Sequence, residues 1–157
     1  WPFLSSEYCI ESDVLFVVSP LVEYGLCSIE NYFIAIAMLL DKIKVLVGFN
    51  VTVAIKFHPH QSEVIQKRIQ STIRNKGLEY KTIENSFSIE QLLVNTVFKY
   101  VFGIDSSLLF YASILGTDVN VYSASKKLKL IDSLYRDMSS LTVSMEETLF
   151  KNVHQIT

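Results

Sequence analysis

A histidine–proline pair stands where a β-rich segment gives way to a helical one. The apolar run from Val51 to Ile55 precedes His58 and Pro59, and a helix-like run over residues 61–76 follows them. Open α/β sheets bind ligands beyond the carboxyl ends of their strands, and the predicted strand places His58 there. Pro59 has a fixed φ and keeps His58 out of the helical region. His58 is therefore our candidate catalytic residue, although a loop histidine beside a turn proline shows the same pattern.

A pair of serines marks a second strand-to-helix junction. Ser106 and Ser107 follow one apolar segment and precede another. Two hydroxyls beside the free N–H groups and the positive dipole end of a helix can bind a phosphate without a glycine-rich loop. Gly103 and Asp105 lie in the same turn and are further candidates. Simple N-capping by Asp105 or Ser106 explains these residues without a ligand.

A glutamate at the start of a short helix is the third candidate. Glu90 lies in the first turn of a segment that begins near Ser88, again after a predicted strand. Its carboxylate can accept two hydrogen bonds from a ribose diol, but the position also suits a charge–dipole contact or a capping box. Glu84 is the alternative to Glu90, and Glu23, in an earlier loop, is a further candidate for the cleft.

Two other histidines are weaker candidates than His58. His60 can exchange roles with His58, but the adjacent Pro59 favours His58. His154 lies in an unpatterned tail, so we expect it to be exposed.

The elements that would position these residues alternate between strands and helices. We predict five strands, over residues 13–19, 51–57, 78–83, 96–102 and 118–122. We predict helices over residues 28–47, 61–76, 108–115 and 127–138, with a short one from residue 88. Such alternation with short connections indicates a doubly wound parallel sheet, a Rossmann-like α/β domain. Residues 1–12 read as a leading segment and residues 139–157 as a tail.

Composition narrows the class of protein. The 157 residues suffice for one domain with its own core, and 50% of them are hydrophobic. The longest uncharged apolar run, residues 32–40, is about half of what a membrane span needs. A net charge of −2 without a basic cluster argues against nucleic acid as a partner. The surplus of apolar residues suggests that another domain or a second subunit, as in a homodimer, covers one face.

Several common motifs are missing from the sequence. The five glycines are too far apart for a dinucleotide fingerprint or a P-loop. There is also no G-x-S-x-G elbow. Because the spacing of two histidines that would bind a metal is missing as well, we expect neither a metal nor another cofactor. Cys9 and Cys27 lack metal or redox spacing, which fits a reducing compartment such as the cytoplasm. Because the chain begins at Trp1, we expect it to be a piece of a longer protein.

Three ordered motifs resemble the second half of bacterial sialyltransferases with the glycosyltransferase-B fold. They are K-F-H-P-H, S-I-E-Q-L-L and G-I-D-S-S-L-L-F-Y-A, and they resemble the H-P motif, a glutamate motif and the S-S motif of those enzymes. The segment D-V-L-F-V-V-S-P-L-V-E-Y-G also resembles the strand and loop that open that half. The resemblance spans roughly residues 13–122 and leans toward the lipooligosaccharide and capsule sialyltransferases rather than the polysialyl ones.

This resemblance implies a donor substrate, CMP-sialic acid, and a donor nucleotide site. It implies that His58, with Pro59, contacts or protonates the leaving phosphate, that Ser106 and Ser107 hold this phosphate, and that Glu90 binds the ribose. Sialic acid would pass with inversion to a glycan acceptor, without a metal, in the cytoplasm or at the inner membrane surface. The family's catalytic base lies on an N-terminal domain that is missing here, so we expect the isolated chain to be inactive.

Two other functions fit the same residues. One is a CDP-glycerol transferase, or another capsule or cell-wall sugar transferase of the same fold, because these enzymes also use H-P and serine-pair motifs. The lack of an R-x-x-Y-like or Q-x-G pattern near Ser106 weighs against it. The other is a non-catalytic nucleotide-binding or assembly domain.

Overall fold

Six parallel strands form the sheet of the described part of the chain. The computed structural model of the protein describes residues 10–88, 91–93, 96, 98–115, 118–138 and 152–156. The strands are β1 (Val14–Val18), β2 (Thr52–Phe57), β3 (Glu79–Thr82), β4 (Tyr100–Gly103), β5 (Asn120–Ser123) and β6 (Val153–Gln155). Their order, β3-β2-β1-β4-β5-β6, is that of doubly wound nucleotide-binding sheets. The predicted Rossmann-like α/β fold is thus confirmed, with β3 at one edge of the described sheet.

Helices connect the strands and cover the sheet. They are α1 (Ile29–Val47), α2 (Glu63–Asn75), α3 (Ser107–Leu115), α4 (Ser125–Ile131) and α5 (Ser133–Met138). Side-chain caps set two of the starts, because Ser28 accepts a hydrogen bond from the amide of Asn31 and Ser62 accepts one from the amide of Ile65. In the described ranges, none of the helices has the length and hydropathy that crossing a bilayer requires.

The central strand β1 is buried on both faces. Val14, Phe16 and Val18 pack in the same core as α1 and α2, whereas Leu15 and Val17 pack with α3. All five are at most 5% exposed. Because successive strand residues face opposite sides of a sheet, burial on both faces requires the continuous apolar run that predicted this strand.

The fourth strand begins at Tyr100, later than the predicted residue 96. The amide of Thr96 still donates to the carbonyl of Leu92 (2.8 Å), as in a helical turn. Pairing with β1 begins only where the amides of Lys99 and Tyr100 both donate to the carbonyl of Asp13, at 2.9 and 3.0 Å. Phe98, which precedes this point, therefore belongs to the approach to the strand.

The predicted single helix over residues 127–138 is wrong, because Asp132 divides it into α4 and α5. Asp132 is extended (φ −118°, ψ 119°), and its carboxylate accepts hydrogen bonds from Ser28, Asn31 and Tyr135. Burial raises the pKa of Asp132, but these hydrogen bonds outweigh it and lower the pKa to about 2. The break thus ties α5 to the start of α1.

The predicted tail contains a sixth strand. In β6, Val153 pairs with Val121 of β5, and three strand residues are too few to show a period in the sequence. His154 is exposed, as predicted, and its ring stacks on Tyr122 with centroids 5.0 Å apart.

Candidate functional site

The carboxyl ends of β1, β2 and β4 open on a cleft of about 360 Å³. The cleft lies where the strand order reverses between β1 and β4, the position at which open α/β sheets bind ligands. The residues that line it are Val17, Val18, Ser19, Lys56, Phe57, His58, Pro59, Asn85, Phe87, Ser88, Ser106 and Ser107. The fold therefore brings together four predicted site residues from two distant segments, namely His58, Pro59, Ser106 and Ser107.

The ring of His58 is oriented by its own turn. The amide of His60 donates to His58 Nδ1 at 3.1 Å, and the amide of Gln61 donates to the His58 carbonyl at 2.9 Å. Because Nδ1 accepts a hydrogen bond, the proton of the neutral ring is on Nε2. Burial and the charge of His60 lower the pKa of His58, while Glu23 raises it. Neutral His58 thus has an N–H donor on Nε2.

The loop after β1 supports the turn of residues 58–61, called the histidine turn. The Glu23 carboxylate accepts hydrogen bonds from the amide and hydroxyl of Ser62, at 2.8 and 3.0 Å, and from the side-chain amide of Gln61. The hydroxyl of Tyr24 is hydrogen-bonded to His60 Nδ1. Within the described part of the chain, Glu23 lies beside the cleft-lining residues rather than among them. It fixes the start of α2, and with it the turn that carries His58.

Hydrogen bonds to buried residues hold the turn of residues 105–107, called the serine turn, in place. Asp105 has a left-handed backbone (φ 47°), which Asp tolerates better than most residues. Its amide donates to the hydroxyl of Ser125 (2.9 Å), and its carbonyl accepts a hydrogen bond from the hydroxyl of Ser19 (3.1 Å). Ser125 in turn shares a hydrogen bond with Ser123, and the Ser19 carbonyl accepts one from Tyr32. No local pattern predicts this support, because its members come from four separate segments of the chain.

Gly103 provides the close approach that this turn requires. A Cβ at Gly103 would lie 3.0 Å from the carbonyl oxygen of Val17 and 3.3 Å from a methyl group of Leu109. The contact with backbone cannot be relieved by a side-chain rotation. Gly103, like Asp105, therefore shapes the turn that presents the serines.

The two serines differ in their surroundings. Ser106 Oγ accepts a hydrogen bond from the amide of Leu108 (3.3 Å), so Ser106 caps α3 while it lines the cleft. Ser107, the first residue of α3, is exposed. The hydroxyl of Ser107 thus has more freedom to meet a ligand than that of Ser106.

The opposite wall of the cleft follows β3. Ser88 and Gln91 form a reciprocal capping box: the amide of Ser88 donates to Gln91 Oε1 and the amide of Gln91 donates to Ser88 Oγ. Gln91 is thus a capping partner of Ser88. Glu90 itself lies outside the described residues. Glu84, its alternative, is exposed and accepts a hydrogen bond from Ser86.

Sequence reasoning missed Lys56 as a member of the site. This lysine is only 6% exposed, and its ammonium donates to the carbonyl of Glu84 (2.7 Å) and, more weakly, to Asn85 Oδ1 (3.4 Å). Burial lowers its pKa. A charged residue near the end of an otherwise apolar strand was the available signal.

The described residues contain no cluster of three or more His, Cys, Asp or Glu side chains suited to a metal ion. Cys27 is buried, and burial together with Asp132, Glu23 and Asp105 raises its pKa to about 12. Its thiol is therefore a poor nucleophile. Cys9 lies outside the described residues.

The family model of the alpha-2,8-polysialyltransferases (POLYST) matches residues 3–125. This range contains every residue that lines the cleft. The match supports the sialyltransferase assignment that the motifs suggested, but not their leaning toward the lipooligosaccharide and capsule type. No curated protein sequence matches the chain.

Proposed function

Because the chain belongs to the alpha-2,8-polysialyltransferase family, we propose that its cleft binds the CMP part of CMP-sialic acid during sialyl transfer to a glycan. One observation carries this proposal: the His58–Pro59 turn and the Ser106–Ser107 turn line a single cleft at the reversal of the strand order. Both turns offer hydrogen-bond donors, which is the chemistry that a phosphate requires.

The serine turn supplies the ground-state contacts with the phosphate. The first amides of α3 and the positive end of its dipole favour an anion at this position. The exposed hydroxyl of Ser107 adds a donor, and Ser106 adds a second one, because a hydroxyl that accepts a hydrogen bond from the Leu108 amide can still donate its own O–H to a ligand. We propose that these groups bind the phosphate before the reaction begins.

His58 then stabilises the charge that develops as the donor breaks. The bond between the anomeric carbon and the phosphate oxygen breaks, and its electron pair stays on the CMP phosphate. The acceptor hydroxyl forms the new bond from the opposite face, which inverts the anomeric carbon, and its proton passes to a base. A donor aimed at the leaving phosphate stabilises this transition state more than the ground state.

The hydrogen bonding of His58 favours such a neutral donor over a general acid. An imidazolium would carry a second proton on Nδ1, opposite the amide of His60 that already donates to this atom. The lowered pKa of His58 also favours the neutral ring. We therefore assign the N–H of Nε2, rather than proton transfer, to His58.

In our proposal, the base that receives the acceptor's proton lies on another domain. Among the described residues that line the cleft, none carries a carboxylate. We propose that this chain is the nucleotide-binding half of a glycosyltransferase-B fold, and that the other half supplies the base. The isolated chain should then bind CMP without transferring sialic acid.

Calorimetric titration of the chain with CMP, UMP, CDP and GMP tests the proposed function. We expect CMP to bind most tightly among the monophosphates, with modest affinity because half a cleft buries only part of the ligand. Equal affinity for CMP and GMP would contradict the cytidine assignment. Much tighter binding of CDP than of CMP would favour a CDP-glycerol or related transferase instead.

A further inference from the structure

A buried lysine on the cleft wall has no role in the function proposed above. Lys56 is paired in register with Val17 of β1 and lies on the same face of β2 as the buried Ala54. That face also packs against α3, which begins at Ser107 and is capped by Ser106. The lysine thus lies two residues before His58 and lines the same cleft as Ser106 and Ser107.

The ammonium of Lys56 is paired only with neutral oxygens among the described residues. Its two hydrogen bonds go to the Glu84 carbonyl and the Asn85 side-chain oxygen. The ion pairs in the described ranges involve other lysines, Lys67, Lys76 and Lys99, and no described carboxylate lies within 4.0 Å of Lys56 Nζ. A lysine has three N–H donors, so two neutral partners leave both its charge and donor capacity incompletely used.

A buried cation without an anion is costly for the free protein. Removing an ammonium from water is unfavourable unless an opposite charge and full hydrogen bonding compensate for the lost hydration. A methionine would fill the same strand position without this cost. The presence of a lysine at this position is therefore explained if an anion enters the cleft and pairs with the ammonium of Lys56.

We propose that Lys56 binds an anionic oxygen of the ligand, and that this oxygen belongs to the phosphate of the nucleotide. This inference rests on the proposed nucleotide site. The phosphate would then lie between the charge of Lys56 on one wall and the amino end of α3 on the other. A carboxylate of the sugar offers the same chemistry, and the experiment below separates the two sources.

The alternative to ligand binding is a purely structural role. Lys56 holds the chain after β3 through its hydrogen bond to the Glu84 carbonyl, and that segment forms one wall of the cleft. A structural role predicts that every ligand loses affinity to the same degree when Lys56 is changed. An anion-binding role predicts a loss confined to ligands that carry the anion.

The test compares CMP with cytidine in the wild-type chain and in Lys56→Gln, Lys56→Met and Lys56→Arg. Lys56→Gln and Lys56→Met should weaken CMP roughly ten- to a hundredfold, as expected for losing a charged hydrogen bond, and leave cytidine nearly unchanged. Lys56→Arg should retain part of the affinity because it keeps the charge. Lys99→Gln is the matched control, since Lys99 pairs with Asp13 at the opposite end of the sheet.

The outcomes also identify the anion. Equal loss of CMP and CMP-sialic acid supports the phosphate, whereas a loss confined to CMP-sialic acid would assign Lys56 to the sugar carboxylate and overturn the phosphate contact. Equal weakening of cytidine and CMP would overturn anion binding altogether. If the wild-type chain binds GMP as well as CMP, the cytidine assignment fails, but GMP against guanosine still tests Lys56. Thermal melting without ligand should show Lys56→Met to be no less stable than wild type.

Discussion

The histidine turn and the serine turn reach the same cleft through different kinds of support. Two side chains from the loop after β1 hold the histidine turn: Glu23, which is half-buried, and Tyr24, which is exposed. Fully buried hydroxyls hold the serine turn, above all Ser125, which also contacts Ser123. One turn is thus braced at the surface and the other is anchored in the core.

This difference predicts which property each turn controls. A change near the serine turn disturbs buried hydrogen bonds and the left-handed backbone of Asp105, so it should lower the stability of the whole domain. A change in the surface brace leaves the core intact and should mainly move His58. Stability and turnover should therefore respond separately to changes at the two turns.

If this chain is the nucleotide-binding half proposed above, the largest effect is expected from His58→Ala, measured in the enzyme that contains both halves. Losing a donor to the leaving phosphate should lower kcat by about 10²–10³, with little change in nucleotide affinity. His154→Ala is the control, because His154 is exposed on the edge strand β6, which borders β5 rather than the strands that open on the cleft. Unchanged turnover in His58→Ala would make His58 an ordinary loop histidine.

The pH dependence of kcat distinguishes the two chemical roles of His58. Burial and His60 lower the pKa of His58, so the neutral ring dominates near neutral pH. If neutral His58 is the donor, kcat should rise as pH passes this pKa and stay level above the ordinary histidine value of 6.5. A rate that falls about tenfold per pH unit in that range would show an imidazolium acting as general acid.

Ser125→Ala tests the anchoring of the serine turn in the core. It removes the acceptor of the Asp105 amide and should lower the free energy of unfolding by about 1–3 kcal/mol. Urea denaturation measures this difference. Ser113→Ala is a matched serine control, since Ser113 bonds only locally to the carbonyl of Phe110 in α3. If both variants are equally stable, the buried network does not hold the turn.

Substitutions of the two cleft serines should distinguish helix capping from ligand binding. Ser106→Ala removes the cap of α3 and should cost about 1 kcal/mol of stability, as well as raising the donor KM. Ser107→Ala should raise the donor KM with little change in stability, because Ser107 is exposed. A stability loss in Ser107→Ala alone would reverse these roles.

The smallest effect is expected from Tyr24→Phe. It removes one exposed hydrogen bond to His60, so stability should change by less than about 0.5 kcal/mol. Turnover should still fall a few-fold, because the ring of His60 is part of the brace around His58. A loss of stability without loss of turnover would contradict the distinction between the two turns.

The elements with local signals were predictable from the sequence. The apolar run of β1 and the start of α1 at Ser28 lie where the patterns placed them. The division at Asp132 was not predictable, because its partners Ser28 and Asn31 lie about a hundred residues earlier in the chain. Strand β6 is too short to show a period.

In the candidate site, too, residues with local sequence signals were predictable, and contacts between distant segments were not. His58, Pro59, Ser106 and Ser107 stand at strand ends, and in a parallel sheet such ends meet at one edge. The brace by Glu23 and the burial of Lys56 depend on contacts between distant segments, which no local spacing reveals. The predicted role of Glu90 stays a prediction.

The structure of the chain with bound CMP is the most direct test of a single phosphate site shared by the two turns. We expect a phosphate oxygen within about 3.2 Å of His58 Nε2 and another at the same distance from the hydroxyl or amide of Ser107. CMP bound away from the cleft, or with its phosphate in contact with neither turn, would contradict this account.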